Sequence, residues 1–269
     1  MLNVHPVPAL ESNYFWLVHP DSAASTAYII DPGHAAPVIS ALAKRKLDLA
    51  GIIITHRHHD HIDGIAELVQ KFQVPVYGPP SPAIPQITHP LGEGDRLLLP
   101  DFALEVIAVP GHTLDHIAYI HRPARGEPAR LFCGDTLFAG GCGRLFDGSA
   151  SQLYDSLMRI AALPDDTLVY CAHEYTLDNL RFGAAVEPDN RDLVERLRTV
   201  AAQRQRGEIT LPTNIGLEHR TNPFLRTHLP SVKLAAEGYC GHSLGSEREI
   251  FAMVRIWKDN FRAKLNDNF

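Results

Sequence analysis

Residues 51–61 read Gly51-Ile52-Ile53-Ile54-Thr55-His56-Arg57-His58-His59-Asp60-His61. The first part is an apolar, β-branched run, the composition of a buried strand. It leads directly into a segment in which five of six residues can ligate a metal. A strand end that runs into imidazoles and a carboxylate is where a rigid scaffold presents reactive groups. If the chain stays extended, alternation places His56, His58 and Asp60 on one face. His61 falls at the start of the next helix and turns to a second position. His59, between the two sets, reads as outside the ligand set.

Working outward, further strands are expected at 26–31, 104–110, 116–121, 129–135 and 167–173. Helices are expected at 37–46, 62–72, 151–162, 176–186 and 190–206, the last with Leu193, Leu197 and Val200 on one face. Residues 75–90 are Pro-rich without a regular pattern, and 208–246 reads as loop. A final helix begins near Ser246, which with Glu249 suggests a capping box. Three of the strand ends again finish in ligand-type residues: Val109-Pro110-Gly111-His112, Phe132-Cys133-Gly134-Asp135 and Cys171-Ala172-His173.

The candidate set is therefore His56, His58, Asp60, His61, His112, Asp135 and His173. Seven groups exceed one tetrahedral zinc and suit two divalent ions about 3.5–4 Å apart that share a carboxylate. Two such ions, two aspartates and one bridging hydroxide carry a formal charge of about +1, suited to a developing oxyanion. Nitrogen and oxygen donors without thiolate fit zinc, with iron or manganese as alternatives.

Composition narrows the class. The chain has 269 residues, 45% hydrophobic and 21% charged, with a formal net charge of −6. Such a charge excludes a nucleic-acid grip driven by overall charge. No run approaches the roughly 20 apolar residues that span a bilayer, and no signal peptide is expected. The four cysteines form no CxxC pair and read as reduced, so a cytoplasmic location is expected. Strands with interspersed helices occupy 1–173 and helices 174–269, which suggests packed sheets with helices outside, an α/β (α+β) class.

Thr55-His56-Arg57-His58-His59-Asp60-His61, followed by Pro110-Gly111-His112-Thr113, Cys133-Gly134-Asp135-Thr136 and Ala172-His173-Glu174-Tyr175, resembles the metallo-β-lactamase superfamily. Within it, residues 132–148, Ala172–Thr176 and the late Val254–Phe261 are similar to glyoxalase II, the hydroxyacylglutathione hydrolases. The resemblance spans essentially the whole chain. It implies an αββα metallo-β-lactamase sandwich at 1–173 and a C-terminal helical substrate-binding domain at 174–269. It implies His56, His58 and His112 on one metal, Asp60, His61 and His173 on the other, and Asp135 bridging. Asp60 and Asp135 would act with the bridging hydroxide in hydrolysis of S-D-lactoylglutathione to glutathione and D-lactate, the second step of methylglyoxal detoxification. Glutathione contacts are implied at Arg144, Phe146, Tyr175, Arg255 and Lys258. The better-known eukaryotic members carry Lys and Tyr where this chain has Arg144 and Phe146, which changes donor geometry and removes one hydroxyl.

A thiolate leaving group, with a conjugate acid of pKa about 8.5, needs no general acid. Competing readings are a glutathione persulfide dioxygenase with a single iron, a β-lactamase or nuclease relative, a hydrolase of another ester or thioester, and a non-catalytic metal-binding module. Thr113 or Thr136 is expected to orient ligands, and a monomer is expected.

Overall fold

In a computed structural model, which describes residues 2–20, 25–100, 102–123 and 126–262, two six-stranded sheets lie against each other. The first runs in chain order through β1 (Leu2–Ala9), β2 (Asn13–Pro20), β3 (Thr26–Ile30), β4 (Asp48–Ile53), β5 (Val76–Gly78) and β6 (His89–Pro90). The second sheet is built from β7 (Arg96–Leu99), β8 (Phe102–Ala108), β9 (Ile117–His121) and β10 (Arg130–Gly134). A separate hairpin, β11 (Leu137–Phe138) and β12 (Gly141–Cys142), follows β10. The sheet is completed by β13 (Leu168–Cys171) and β14 (Thr213–Asn214), in the order β14-β13-β10-β9-β8-β7.

The layers follow from which faces are apolar. Trp16, Tyr28 and Ile53 of the first sheet bury against Leu104, Tyr119, Leu131 and Val169 of the second. Alternate residues of the first sheet, among them Phe15, Leu17, Ile29 and Ile52, bury on its other face. There α1 (Ala35–Arg45) covers them through Val38 and Leu42, and α3 (Ile65–Phe72) through Ile65 and Leu68. A strand buried on both faces must be apolar throughout, which is why β4 reads as a continuous run rather than an alternation. Two aromatic polar ends tie the layers together: Tyr119 donates to the Ile54 carbonyl at 2.6 Å, and Trp16 donates to the Cys171 carbonyl at 3.0 Å. Each partner carbonyl would cost about 1–3 kcal/mol if left buried and unpaired.

The helices are α2 (His59–Ile62), α4 (Ala150–Ala161), α5 (Thr176–Val186), α6 (Arg191–Gln205), α7 (Ile215–Thr221), α8 (Pro230–Cys240) and α9 (Glu247–Asn260), besides α1 and α3. The expected helix at 62–72 is two: α2 starts earlier, and the chain breaks at Asp63-Gly64 before α3. Gly64 passes so close to the Pro32 carbonyl oxygen that a Cβ there would lie 2.4 Å from it. The stretch 208–246 is not loop, since it holds β14, α7, a 3₁₀ turn at Pro223–Leu225 and α8. These pieces are short and punctuated by Pro212, Pro223 and Pro230, so no apolar period has room to show. β1 and β2 also lie in sequence where no strand is expected. At the last helix, Ser246 accepts from the Glu249 amide at 3.3 Å, but the Glu249 carboxylate caps Gly245 rather than Ser246, so the box is half formed. The complete box belongs to Ser149 and Gln152 at the start of α4.

No described helix is long and apolar enough to cross a membrane. All four cysteines are free, and Cys133, Cys142 and Cys171 are buried.

Candidate metal centre

The two sheets meet at one end. Thr55, just past β4, accepts from the Ile117 amide at 3.0 Å, and Tyr14 of β2 donates to the Ala172 carbonyl at 2.7 Å. Strand ends of both sheets therefore deliver side chains into one place. His56 and His58 follow β4, His112 follows β8, Asp135 follows β10 and His173 follows β13.

The extended run expected through Asp60 stops at His58. That residue has extended backbone and precedes α2, so Asp60 and His61 leave on a helix. His56 and His58 thus join His112 and Asp135 in one cluster, while Asp60 joins His61 and His173 in a second. Asp135 lies between them. Its Oδ2 is 3.4 Å from His112 Nε2, and its Oδ1 is 3.5 and 3.4 Å from the Nε2 atoms of His61 and His173. Asp60 Oδ2 faces the same two rings at 3.6 and 3.4 Å. Gly134 supplies the turn that aims Asp135: its φ of +47° is left-handed, and a Cβ would collide with Thr55 Oγ1 at 2.4 Å. His59 is outside both clusters and exposed, its ring 3.1 Å from Asp63.

The far sides of the rings fix where their protons sit. Thr55 donates its hydroxyl to Asp31 Oδ2 at 2.7 Å, so its oxygen accepts from His56 Nδ1 at 3.0 Å. His61 Nδ1 donates to Asp31 Oδ2 at 3.0 Å, and His112 Nδ1 donates to the Arg144 carbonyl at 2.7 Å. In its neutral form, the one that binds a metal, each ring therefore turns an unprotonated Nε2 inward. His56 Nε2 and His112 Nε2 lie 3.1 and 2.9 Å from His58 Nδ1, so three ring nitrogens converge with at most one proton among them when the rings are neutral. His61 Nε2 and Asp135 Oδ1 are buried with no hydrogen-bond partner. That donor set fits a pair of cations and little else.

The electrostatics agree. Burial, with neighbouring imidazoles, holds the pKa of His56 well below its ordinary value, and burial also lowers His58 and His112. Burial works the other way on the carboxyl of Asp135, yet His173 and His61 hold it well below the usual range. For Asp60, burial is likewise outweighed, by His173, His61 and Asn13. Conversely, Asp135 overcomes burial to raise His61 well above its ordinary value and His173 to about 9. Without a cation, protons sit where the two aspartates demand positive charge.

Several contributors carry no signal in the metal motif. Asp31 receives Thr55 N at 2.7 Å besides the two contacts above. Asn13 donates to Asp60 at 3.0 Å, and Ser12 Oγ meets His173 Nδ1 at 3.0 Å. His116 stacks on His56 with centroids 4.5 Å apart and accepts from the Asp135 amide at 3.1 Å. Thr113 and Thr136 are not the orienting hydroxyls: both are buried without a side-chain partner, and Thr55 takes that part. Asp31 could have been found by the rule that found the others, because it ends a strand just before Pro32-Gly33.

A cavity of about 480 Å³ opens over the clusters, lined by Arg144, Phe146, Tyr175, Arg255 and Lys258 together with Phe138 and Asp178. The Tyr175 ring stacks on His173 at 4.6 Å, and Phe146 stands edge-on to His58 at 4.5 Å. Arg255, buried on α9, donates to the Cys142 carbonyl at 2.9 Å. Lys258, one turn on, donates to the Asp178 carbonyl at 3.0 Å, and its pKa is pushed down to about 8 by burial and then by Arg255. Arg144 is largely exposed at the rim, 3.5 Å from Asp259.

The sandwich and its strand-end clusters define a protein of the metallo-β-lactamase superfamily, and residues 8–173 match the description Metallo-beta-lactamase superfamily. Residues 174–261 match Hydroxyacylglutathione hydrolase C-terminus. The hydroxyacylglutathione hydrolase of Nitrosomonas europaea is 51% identical over 99% of both chains, and that of Pseudomonas savastanoi is 48% identical over 97% of this chain and all of that one. The chain belongs to the hydroxyacylglutathione hydrolase family, also called glyoxalase II. Among solved structures, ETHE1 from Myxococcus xanthus is similar with a TM-score of 0.65 and 29% identity, covering all of this chain and 95% of that one. TTHA1623 in a di-iron-bound form is similar with a TM-score of 0.56 and 27% identity, covering 83% of this chain and all of that one.

Proposed function

We propose that this chain hydrolyses S-D-lactoylglutathione, and other 2-hydroxyacyl thioesters of glutathione, to the hydroxy acid and glutathione. The observation that carries the reading is the pairing of two convergent donor clusters with a cation-walled cavity directly above them. His56, His58 and His112 would hold one divalent ion, Asp60, His61 and His173 the other, with Asp135 between them. Zinc is the pair expected for this donor set, and the di-iron form of a structural relative supports a two-metal site. When bound, such a pair supplies a water acidic enough to ionise near neutral pH and a Lewis acid for the thioester carbonyl.

The chain's own residues do the rest. Asp31, Thr55, Ser12 and the Arg144 carbonyl hold four rings so that lone pairs face inward. Asn13 holds Asp60 against the second cluster. Lys258 and Arg255 attract the carboxylates of the glutathione handle, and Arg144 adds charge at the rim. Tyr175 and Phe146, against His173 and His58, give the glutathione handle apolar surface beside the metal clusters. The departing thiolate is stable enough to leave without a proton donor. A single-iron dioxygenase would have no use for the second cluster.

On this reading the enzyme consumes a hydroxyacyl glutathione thioester formed from methylglyoxal. Four free thiols support a reducing compartment, the cytoplasm. A monomer is part of the same proposal. The division into a sandwich at 1–173 and a helical part at 174–269 follows the two family matches, although β14 of the second part pairs with β13 of the first. A comparison of S-D-lactoylglutathione with the same acyl group on cysteamine tests the handle. The reading expects kcat/KM to fall at least 100-fold without the carboxylates, and equal rates on both would refute it.

A further inference from the structure

The hairpin β11–β12 is joined at both ends to the metal clusters. It starts after Asp135 and ends before Arg144, whose carbonyl holds His112. Gly143 sits so close beneath Asp135 that a Cβ there would fall 2.0 Å from the Asp135 carbonyl oxygen. Wherever this hairpin sits, Asp135 and His112 sit with it.

Its tip has too few backbone partners of its own, and buried side chains from the helical part supply them. Glu218 on α7, fully buried, accepts the Gly140 amide at 2.7 Å. Asn222, also fully buried, donates to the Gly141 carbonyl at 3.0 Å and the Phe138 carbonyl at 3.3 Å. Asn179 donates to the Ala139 carbonyl at 3.1 Å. Glu218 and Asn222 also bond each other at 2.9 Å, and the other Glu218 oxygen receives Arg196 at 2.7 Å and Thr213 at 2.6 Å. A fully satisfied buried network of this kind has one geometry, and a partly satisfied one is costly. Neither Glu218 nor Asn222 lines the cavity, although Asn179 and the hairpin residues Phe138 and Cys142 do.

We infer that Glu218 and Asn222 are positioning residues for the metal centre, acting from the helical part through the β11–β12 hairpin on Asp135 and His112. The inference rests on the metal reading above. It gives the helical part a second task besides holding substrate: loading and holding the metals.

The test is metal affinity in the full-length protein. Apo wild type and Asn222→Ala are titrated with Co²⁺, followed by the visible d–d bands, and with Zn²⁺ against a chromophoric chelator. The expected result is a loss of about tenfold or more at one position or both, the size seen when ligand-orienting groups are removed. The d–d bands change shape, and the loss of metal affinity exceeds any rise in KM at metal saturation, because neither Glu218 nor Asn222 lines the cavity. A purely structural role would lower the melting temperature and leave affinity and spectrum unchanged, which would overturn the inference. If Asn222→Ala does not fold, Glu218→Gln carries the same test, since it keeps an oxygen for Arg196 but turns an amide against Gly140. Wild type that binds no metal would overturn the metal reading and this inference with it. Wild type binding two metals alongside an unaffected variant would overturn this inference alone.

Discussion

Replacing Asp31 with asparagine changes one atom's chemistry and reaches both metal clusters. Asp31 adopts a φ of +53°, a left-handed conformation that asparagine shares, so the backbone has no cause to move. The amide oxygen keeps the bond from Thr55 N. The amide nitrogen replaces Oδ2, which now receives Thr55 Oγ1 and His61 Nδ1. Because that nitrogen can only donate, both partners must become acceptors. Thr55 then turns its hydroxyl proton toward His56 Nδ1. His56 and His61 are each left with the proton on Nε2, the atom that faces the site. Loss of one ligand-orienting contact costs about 10- to 100-fold in metal affinity. Each cluster loses one oriented ring, so the overall affinity for the pair of ions falls on the order of 10²- to 10⁴-fold, about 3–5.5 kcal/mol. Stability of the apo protein falls by only about 1–2 kcal/mol, because hydrogen bonds are reversed rather than left unmade. The assay is competition for Zn²⁺ against a chromophoric chelator, with calorimetric unfolding of the metal-free protein alongside. Asp31→Asn that takes up two metals at wild-type affinity would refute the tautomer argument.

Other expectations concern the cavity and the hairpin. Lys258, with its pKa near 8, is charged below that pH and neutral above it. So kcat/KM for the glutathione thioester should fall as pH rises through about 8, and Lys258→Arg should flatten that limb; the same limb in the arginine variant would clear Lys258 of the role. Arg255→Ala should raise KM and also lower metal content, because its guanidinium holds the Cys142 and Gly143 carbonyls; a change in KM alone would mean the hairpin stands without it. Gly143→Ala should leave the folded protein with fewer than two metals per chain, since backbone must move away from a contact at 2.0 Å; wild-type metal content would show that the hairpin yields without disturbing Asp135.

Much of the site is legible in the sequence because its ligands sit where strands stop. Ile52–Ile54 announces a strand, and the ring nitrogens that follow its end need partners, so His56 and His58 are marked at once. His112, Asp135 and His173 stand out for the same reason. The assignment of Asp60 to the second cluster is not legible from alternation. It depends on helix α2 beginning at His59, which no cap residue signals. The resemblance of the whole motif supplies that partition where periodicity misleads. The orienting groups Asn13, Ser12 and Asp31 are polar residues near turns, and such residues are ordinary until the fold brings them to a ring nitrogen. In the helical part, Leu193, Leu197 and Val200 declare α6, whereas α7 has seven residues and little room for a period. Glu218 looks like a surface charge on such a short helix. Only its four buried hydrogen-bond partners reveal otherwise.

The most direct test is thioester hydrolysis and metal content measured on the same purified sample. S-D-lactoylglutathione is supplied, loss of thioester absorbance is followed, and metals are counted per chain before and after treatment with a chelator. The account predicts rapid turnover with close to two metals per chain, loss of both on chelation, and recovery when metal is returned. Two metals bound without thioester hydrolysis, or full turnover surviving complete metal removal, would contradict it.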